Sequence, residues 1–476
     1  MVRPIFILFG AAIACIVVGG AMSWLWHPIF HNILKAQLQL TETSRSFNLW
    51  KETPIPMFIE FHLFNCTNSE EVIKEHAKPE LVELGPYVFS EEHSKVNITW
   101  NENATISFNQ IRRWHFLPEM SNGSLDDVVV NLNVMSLAVA HMAPKIGSSL
   151  VINLILDKNG VIWSNNTVGD LLFNGCEDKI LDFLNHYEPL THIHIPFDKF
   201  GWFYMRNESW SYDGNFTMYT GVPFLEKLGK MDSWNNFTEV PYYDSYCAEV
   251  NGTAGELWPP YEEGEQITMF VSDLCRSLTM DYEEEISVHG LTGRKYVAGR
   301  KVVASPDENP ENGCFWRGNS FPSGIIDVSE CKNGAPAYIS YPNFYLADKF
   351  YPEKVVGMKP RKDLHEFQIT LEPLTGVPLD VAASLQINLH LQPFEDIHLY
   401  KDVPDLFMPM LWFTQRARIT EDLASQLKVP VLALIVGTGT FFGILGLGLF
   451  LALVGILIVL RHSLRGAEGA PLLRNE

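Results

Sequence analysis

VPVLALIVGTGTFFGILGLGLFLALVGILIVL, at Val429–Leu460, is a run of 32 residues without a single charge. A helix of this length exceeds the roughly 30 Å of a bilayer's hydrocarbon core and can span it with tilt. Arg461 and Arg465 follow at once, and basic residues collect on the cytosolic side of membrane spans. The stretch therefore predicts a transmembrane helix at 429–460 and a cytosolic tail at 461–476.

A second uncharged run, IFILFGAAIACIVVGGAMSWLW at Ile5–Trp26, lies at the other end of the chain. A cleavable signal peptide is the alternative, but its apolar region is only about 7–15 residues long and ends in small residues. This run ends in Trp24-Leu25-Trp26, and tryptophan suits a membrane interface. With Arg3 before it, the run predicts an uncleaved transmembrane helix at 5–26, so that residues 1–4 and the C-terminus are both cytosolic.

The middle of the chain, residues 27–428, then faces the lumen or the extracellular space. Acceptor sequons for N-glycosylation occur there and not in the tails, at Asn65, Asn97, Asn103, Asn122, Asn165, Asn207, Asn215, Asn236 and Asn251. One such sequon is weak support, because the pattern is short. Nine confined to one segment favour a glycosylated ectodomain.

Six of the seven cysteines also lie in this middle segment, at positions 66, 176, 247, 275, 314 and 331. An even number in an oxidising compartment predicts disulfides, and six cysteines allow 15 pairings. A metal site is the alternative, but no two of these cysteines have CxxC spacing.

Charge is distributed unevenly. The predicted tails hold four basic and two acidic residues, whereas the rest of the chain holds 31 basic and 54 acidic residues. A surface this acidic argues against a nucleic-acid partner. Most of it suits a solvated glycoprotein surface, which can also attract basic partners.

Alternating hydrophobicity predicts β-strands in the ectodomain. Ala104–Phe116 alternates after Asn101-Glu102-Asn103, which suits a hairpin turn. Leu385–Gln392 alternates apolar and polar residues and predicts a half-buried strand. A third strand is predicted from Phe367, Ile369 and Leu371.

Helical spacing occurs in three places. His27–Leu40 predicts a helix directly after the first span. Val128–Asp157 predicts two short helices joined near Ala143-Pro144, and Gly169–Asn185 predicts another helical patch. Residues 128–185 form either a helical cap on a large β-domain or ordinary core helices, and periodicity leaves both open.

Six short segments, in their order and spacing, resemble the class B scavenger receptor family, which includes fatty acid translocase and lysosomal integral membrane protein type 2. The segments are Phe64-Asn65-Cys66-Thr67-Asn68, Gly85-Pro86-Tyr87, Tyr219-Thr220-Gly221, Cys275-Arg276-Ser277, Cys331-Lys332-Asn333-Gly334-Ala335-Pro336 and Glu372-Pro373-Leu374-Thr375-Gly376. Together with the two terminal spans, they extend the resemblance over nearly the whole chain.

The resemblance implies an α+β membrane protein with an antiparallel β-barrel, a helical bundle at its membrane-distal apex and an apolar tunnel from apex to membrane. It also implies disulfides between Cys247 and Cys314 and between Cys275 and Cys331. The family's third bridge has no partner cysteine here, because Phe315-Trp316-Arg317 occupies that loop. Cys66 and Cys176 then either pair with each other or stay free and buried.

Two lysines, Lys145 and Lys158, are the ligand-binding candidates, because family members use apical lysines for anionic lipoproteins or fatty acids. A solvated lysine at a helix end is the alternative for each.

The cytosolic tail contains an acidic dileucine pattern formed by Glu468, Leu472 and Leu473. Clathrin adaptors need an acid for a basic patch and two adjacent apolar side chains for a pocket. The pattern, which resembles the tail of the lysosomal family member, predicts sorting to endosomes and lysosomes.

The sequence thus predicts a receptor or transporter for lipidic cargo (fatty acid, sterol, phospholipid, carotenoid or lipoprotein) in lysosomal, late endosomal and plasma membranes. The alternative is a trafficking receptor that carries a luminal hydrolase by its apical helices, and both can hold in one protein. An enzyme is not predicted, since Gly-x-Ser-x-Gly and HExxH motifs are missing, and neither catalytic residues nor a cofactor are proposed. His192 and His194 suit a structural strand better than a metal site.

Glycines in the second span predict close helix packing through Gly439-x-x-x-Gly443. The packing is either between the two spans or between two chains, so a homo-oligomer stays open. A ligand-gated channel would need a polar pore lining, which this span offers only at Thr438 and Thr440.

Overall fold

The computed structural model describes residues 2–143, 149–186, 197–260, 264–318 and 320–468. The chain divides into two compact units, one made of Met1–Leu38 with Glu421–Glu476 and the other of Gln39–Thr420. We refer to the second unit as the ectodomain.

The α-helices of the described residues are α1 (Val2–Leu38), α2 (Arg45–Lys51), α3 (Ser69–Lys74), α4 (Val134–His141), α5 (Ser149–Asn159), α6 (Lys179–His186), α7 (Lys362–His365) and α8 (Glu421–Glu468). The strands are β1 (Met57–Cys66), β2 (Leu81–Trp100), β3 (Thr105–Phe116), β4 (Val128–Leu132), β5 (Trp163–Thr167), β6 (Asn215–Tyr219), β7 (Met231–Trp234), β8 (Gln266–Val271), β9 (Arg276–Val288), β10 (Leu291–Val297), β11 (Ile326–Asp327), β12 (Ala337–Ser340), β13 (Gln368–Leu371), β14 (Pro378–Leu391) and β15 (Leu406–Arg418).

The first unit consists of α1 and α8, which contain apolar stretches long enough to cross a membrane, with mean hydropathy of 2.6 and 2.9. The two helices pack together within this unit. The Trp26 ring lies 5.5 Å from that of Phe441, and its Nε1 donates a hydrogen bond to the Leu434 carbonyl (3.3 Å). The first predicted span and the helix predicted at His27–Leu40 form one continuous helix that ends at Leu38.

Helices α1 and α8 approach each other closely at glycines that differ from the predicted Gly439-x-x-x-Gly443 pair. A Cβ added at Gly448 would press against Ile16, and one added at Gly455 would press against Phe9. A Cβ added at Gly439 or Gly443 would meet no described atom within 4 Å. The predicted packing of the spans is therefore present, but through a different face of α8.

The ectodomain is built on one antiparallel sheet, in the order β7-β6-β3-β2-β1-β15-β14-β13-β10-β9-β8 among the described residues. The segment Gly252–Thr253 lies between the two edges of this sheet. On one side, Met231 of β7 donates its N–H to the Gly252 carbonyl (2.7 Å). On the other, Phe270 of β8 donates to the Thr253 carbonyl (2.8 Å), so the sheet is a nearly closed barrel.

The three strands predicted from alternation are present, as β3, β13 and β14, and the predicted turn at Asn101-Glu102-Asn103 joins β2 to β3. The expectation that β14 is only half-buried is wrong. Its polar residues Gln386 and Asn388 are completely buried. They are hydrogen-bonded to each other (2.7 Å), and Asn388 also donates to Ser340 of β12, because β12 and the chain after it cover this face.

The region 128–185 differs from its prediction at the start. Val128–Leu132 is not helical but forms β4, which pairs with β5, because β-branched Val128-Val129-Val130 favours a strand where a partner is available. The helices α4 and α5 follow as predicted, while the Ala143-Pro144 junction falls partly outside the described residues. Gly169–Asn185 contains a single π-helical turn at Asp170–Asn174 and most of α6.

Candidate site in the barrel interior

Aromatic side chains form a cluster on one face of β3, β2, β1 and β15. Phe61 contacts Phe203 (ring centroids 4.9 Å) and Phe413 (6.1 Å), while Phe89 contacts Phe173 (4.9 Å). We call the six rings the aromatic cluster: Phe61, Phe89, Trp114, Phe173, Phe203 and Phe413. The opposite face of the same strands carries exposed Glu92 and His115, so the cluster lies on the enclosed face.

A chain of buried charges continues the same face of β2. Glu91, His93 and Lys95 alternate along this strand, so their side chains project to one side. His93 lies between Glu91 (2.6 Å) and Glu256 (2.9 Å), and Glu256 also pairs with Lys95 (2.6 Å). Burial opposes ionisation of Glu256, but Lys95 and His93 outweigh it and hold the pKa of its carboxyl well below the usual range.

A second part of this charged chain runs from β3 toward the turn between β8 and β9. Arg112 pairs with Asp213 (3.0 Å), Asp213 with Arg206 (2.8 Å), and Arg206 with Asp273 (3.0 Å). Burial disfavours the charged form of Arg206, but the two carboxylates outweigh it and raise the pKa of the guanidinium above its already high value. These buried ions are thus mutually compensated.

The aromatic cluster and the charged chain together make an amphipathic interior. Several apolar side chains on the enclosed face, including Ala383, Ile387 and Phe413, are only partly buried although they lie beside fully buried neighbours. An interior wall that is apolar along one part and polar along another suits a ligand with a hydrocarbon portion and a polar group.

A separate small cavity of about 50 Å³ lies where β4, α4 and the chain around Cys176 meet. Its lining includes Leu132, Asn133, Leu171, Cys176 and Asp178. A buried water needs about 10–15 Å³ of such volume, so this cavity suits a few waters rather than a lipid chain.

The structure contains two disulfides, Cys247–Cys314 and Cys275–Cys331, which are the pairs that the family resemblance implies. Cys66 and Cys176 are free and buried. Burial raises the pKa of the Cys66 thiol to about 11 and that of Cys176 to about 12, so both stay protonated and unreactive at neutral pH.

The sequon asparagines are mostly exposed: Asn97, Asn103, Asn122, Asn165, Asn207, Asn236 and Asn251. Asn65 and Asn215 are partly buried, and the Asn65 side-chain oxygen accepts a hydrogen bond from the Val130 N–H (2.8 Å). Exposure permits glycosylation at these positions, which stays a prediction.

Of the other predicted site residues, the structure describes Lys158 and Glu468. Lys158 is an exposed residue in the last turn of α5. Glu468 is the last residue of α8, while Lys145, His192, His194, Leu472 and Leu473 lie outside the described residues.

Two groups of residues in the barrel interior were not predicted from the sequence. The aromatic cluster depends on strand register, since Phe61 lies opposite Phe413 only in the folded sheet. The alternating charges Glu91, His93 and Lys95 carried a signal, because charges at two-residue spacing in a strand share one face.

Comparison with known proteins places the chain among membrane receptors. The family model described as "CD36 family" matches residues 10–459. Scavenger receptor class B member 1 of Cricetulus griseus is 33% identical over 456 residues, covering 94% of this chain and 88% of the relative. Protein peste of Drosophila melanogaster is 33% identical over 434 residues (89% and 77%), and lysosome membrane protein 2 of Mus musculus is 31% identical over 451 residues (93% and 92%).

Proposed function

This chain belongs to the CD36 family and is a scavenger-receptor-type membrane protein, and from that premise we propose that it binds lipidic cargo and passes it through the interior of its ectodomain barrel. The cargo class is a fatty acid, sterol, phospholipid, carotenoid or lipoprotein lipid. The observation that supports the proposal most directly is the aromatic cluster on the enclosed face of a nearly closed barrel.

Burial of apolar surface supplies the driving force. Apolar area removed from water contributes about 25 cal/mol per Å², so a hydrocarbon chain that buries its own surface against the partly buried wall residues gains several kcal/mol. Larger β-barrels enclose ligand cavities, whereas small ones are filled with side chains. The partly buried residues Ala383, Ile387 and Phe413 mark where a ligand would contact the wall.

A bulky side chain in the barrel interior tests this proposal. Ala383 lies on the enclosed face of β14, opposite Gln415 of β15. We expect Ala383→Trp to obstruct the interior and to reduce uptake of a labelled lipid by cells that express the full-length protein. The matched control is Thr279→Trp, which adds the same ring to an exposed position of β9.

Both variants are first compared for glycan maturation and for amount at the membrane. Lipid uptake that falls only in the Ala383→Trp variant supports passage through the interior. Unchanged uptake in this variant would mean that cargo binds outside the barrel.

A second function, carriage of a luminal hydrolase to lysosomes, is favoured by helix α5. Leu150 and Leu154 are 80% and 71% exposed, and residues four apart share one face of a helix. Exposed Lys158 continues the same stripe. We expect Leu150→Gln with Leu154→Gln to abolish co-transport of such a hydrolase while lipid uptake persists.

The proposed topology places both termini in the cytosol and residues 27–428 in the lumen or outside the cell. In this topology, Glu468, Leu472 and Leu473 face clathrin adaptors and direct the protein from the plasma membrane to late endosomes and lysosomes. The proposed function involves no catalysis, metal, cofactor or nucleic acid.

A further inference from the structure

Arg276, the first residue of β9, is the feature of the ectodomain that the proposed function leaves unexplained. Three lysine and arginine side chains are buried among the described residues: Lys95, Arg206 and Arg276. Lys95 pairs with Glu256 and Arg206 with two aspartates. The guanidinium of Arg276 forms no hydrogen bond or ion pair with any described residue, and its Nε is completely enclosed.

Burial of an unpaired guanidinium destabilises the fold, because its desolvation costs several kcal/mol of free energy and no anion compensates for this cost. Burial lowers the pKa of Arg276 only to about 10, so the group remains charged at pH 7. The ring of Phe315 lies 3.2 Å from the guanidinium carbon and offers a cation–π contact. Such a contact contributes up to about 2 kcal/mol, less than the desolvation it would have to offset.

The surroundings of Arg276 are aromatic and fixed. Tyr243 stands edge-on to Phe315 (5.2 Å), and its hydroxyl donates to the Leu274 carbonyl (3.0 Å). Arg276 directly follows Cys275 and Phe315 directly follows Cys314, so each residue is next to a disulfide. A guanidinium in this rigid setting is preorganised to receive a planar anion in bidentate geometry.

We infer that Arg276 is a binding site for the carboxylate of a single-chain lipid, with Phe315 and Tyr243 beside the first carbons of the hydrocarbon chain. The inference rests on the proposed lipid-binding function and names the class of cargo, a fatty acid. Leu278 and Met280 follow Arg276 on the same face of β9, so apolar side chains adjoin the guanidinium. Arg276 as a whole residue is only 5% exposed, so a carboxylate at its guanidinium would be shielded from water.

The test compares oleate with oleyl alcohol, which share a hydrocarbon chain and differ in charge. Full-length protein in phosphatidylcholine nanodiscs is labelled with a photoreactive oleate, and each compound competes for labelling. We expect oleate to compete at a roughly 10- to 100-fold lower concentration than the alcohol, as hydrogen bonds to a charged group imply. In Arg276→Gln, the two compounds should compete about equally.

The matched control is Arg317→Gln, two residues from Phe315, where the arginine is 40% exposed and pairs with Asp244. This variant should keep the preference for oleate. Thermal unfolding without added lipid separates a binding role of Arg276 from a structural role. Because Arg276→Gln removes an unpaired buried charge, its melting temperature should equal or exceed that of the wild type.

Four results overturn the inference, and they lead to different conclusions. A preference for oleate that survives in Arg276→Gln, or a lower melting temperature of this variant without lipid, removes Arg276 as the site while lipid binding stands. If sodium sulfate competes as strongly as oleate, Arg276 belongs to a general anion site that does not recognise a lipid. Absence of specific labelling in the wild type rejects the proposed function itself.

Discussion

The imidazole Nε2 of His141 donates a hydrogen bond to the backbone carbonyl of His390 over 3.0 Å, which fixes the end of helix α4 to strand β14. Burial lowers the pKa of His141 to about 4, although this hydrogen bond opposes the shift. The folded protein therefore favours neutral His141, whereas the unfolded chain binds a proton near pH 6.5.

This shift predicts that the ectodomain loses stability as the pH falls from about 6.5 to about 4. In that window the unfolded state binds more protons than the folded state, so the free energy of unfolding decreases with acidification. At pH 5, His141 alone should lower the free energy of unfolding by about 2 kcal/mol relative to neutral pH. Denaturant unfolding at pH 7 and pH 5 should show a smaller difference for His141→Gln than for the wild type.

Exposed His398, which pairs with Asp157 on helix α5, provides the control for this experiment. The stability of the His398→Gln variant should keep most of its pH dependence, because the His398 side chain is 69% exposed in the folded protein. An equal pH dependence in the wild type and His141→Gln would contradict the role assigned to His141.

The charged chain in the barrel predicts a large effect of removing one cation. Arg206→Met would remove the cation shared by Asp213 and Asp273, leaving buried Asp213 with Arg112 alone and Asp273 without its direct partner, which costs about 3–5 kcal/mol. We expect a lower melting temperature and retention of immature protein in the endoplasmic reticulum. Arg361→Met, at an exposed pair with Asp363, should change stability by less than about 1 kcal/mol, and equal losses in both variants would refute the argument from burial.

Closure of the barrel depends on Gly252, whose φ of +81° lies in the left-handed region. A Cβ at this position would overlap the carbonyl of Thr268 on β8. Gly252→Ala should therefore destabilise the ectodomain by about 2 kcal/mol or more. The substitution preserves the Asn251-x-Thr253 sequon, so a loss of stability is separable from a loss of glycan.

Gly299→Ala is the matched control, since an added Cβ there meets no described atom within 4 Å. Its φ of −80° is also ordinary for alanine. Similar melting temperatures of the Gly252→Ala variant and the wild type would show that the Gly252–Thr253 segment does not hold the barrel edges together.

Local patterns in the sequence predicted much of this architecture. The two spans follow from uncharged length, and β3 from alternation that begins after a turn sequence. The barrel and the disulfide pairs came from family resemblance, since periodicity does not specify strand order. The aromatic cluster could not be predicted from local sequence patterns, because its members are as far apart in the sequence as Phe61 and Phe413.

Prediction failed where tertiary contacts overrode a local pattern. Gln386 and Asn388 look like solvent-facing residues, but β12 and the chain after it cover them and satisfy their amides. Val128–Leu132 lies in an apolar stretch that suits a helix, yet β5 provides a pairing edge. Arg276 was part of a family motif, but only the fold shows that it is buried without a carboxylate.

The last prediction concerns the cytosolic tail. Glu468 lies 8 residues beyond the predicted end of the second span at Leu460, and Leu472 and Leu473 lie 12 and 13 residues beyond it. An adaptor that binds an acid and two adjacent leucines needs all three within reach of the membrane surface. Leu472→Ala with Leu473→Ala should therefore shift the protein from endolysosomes to the cell surface by several-fold, measured by surface biotinylation and by co-localisation with a lysosomal marker. Asn475→Ala serves as the control, because it changes the same tail outside the motif, and this variant should keep the normal distribution. Unchanged lysosomal localisation of the double-leucine variant would show that sorting depends on the ectodomain or the spans instead.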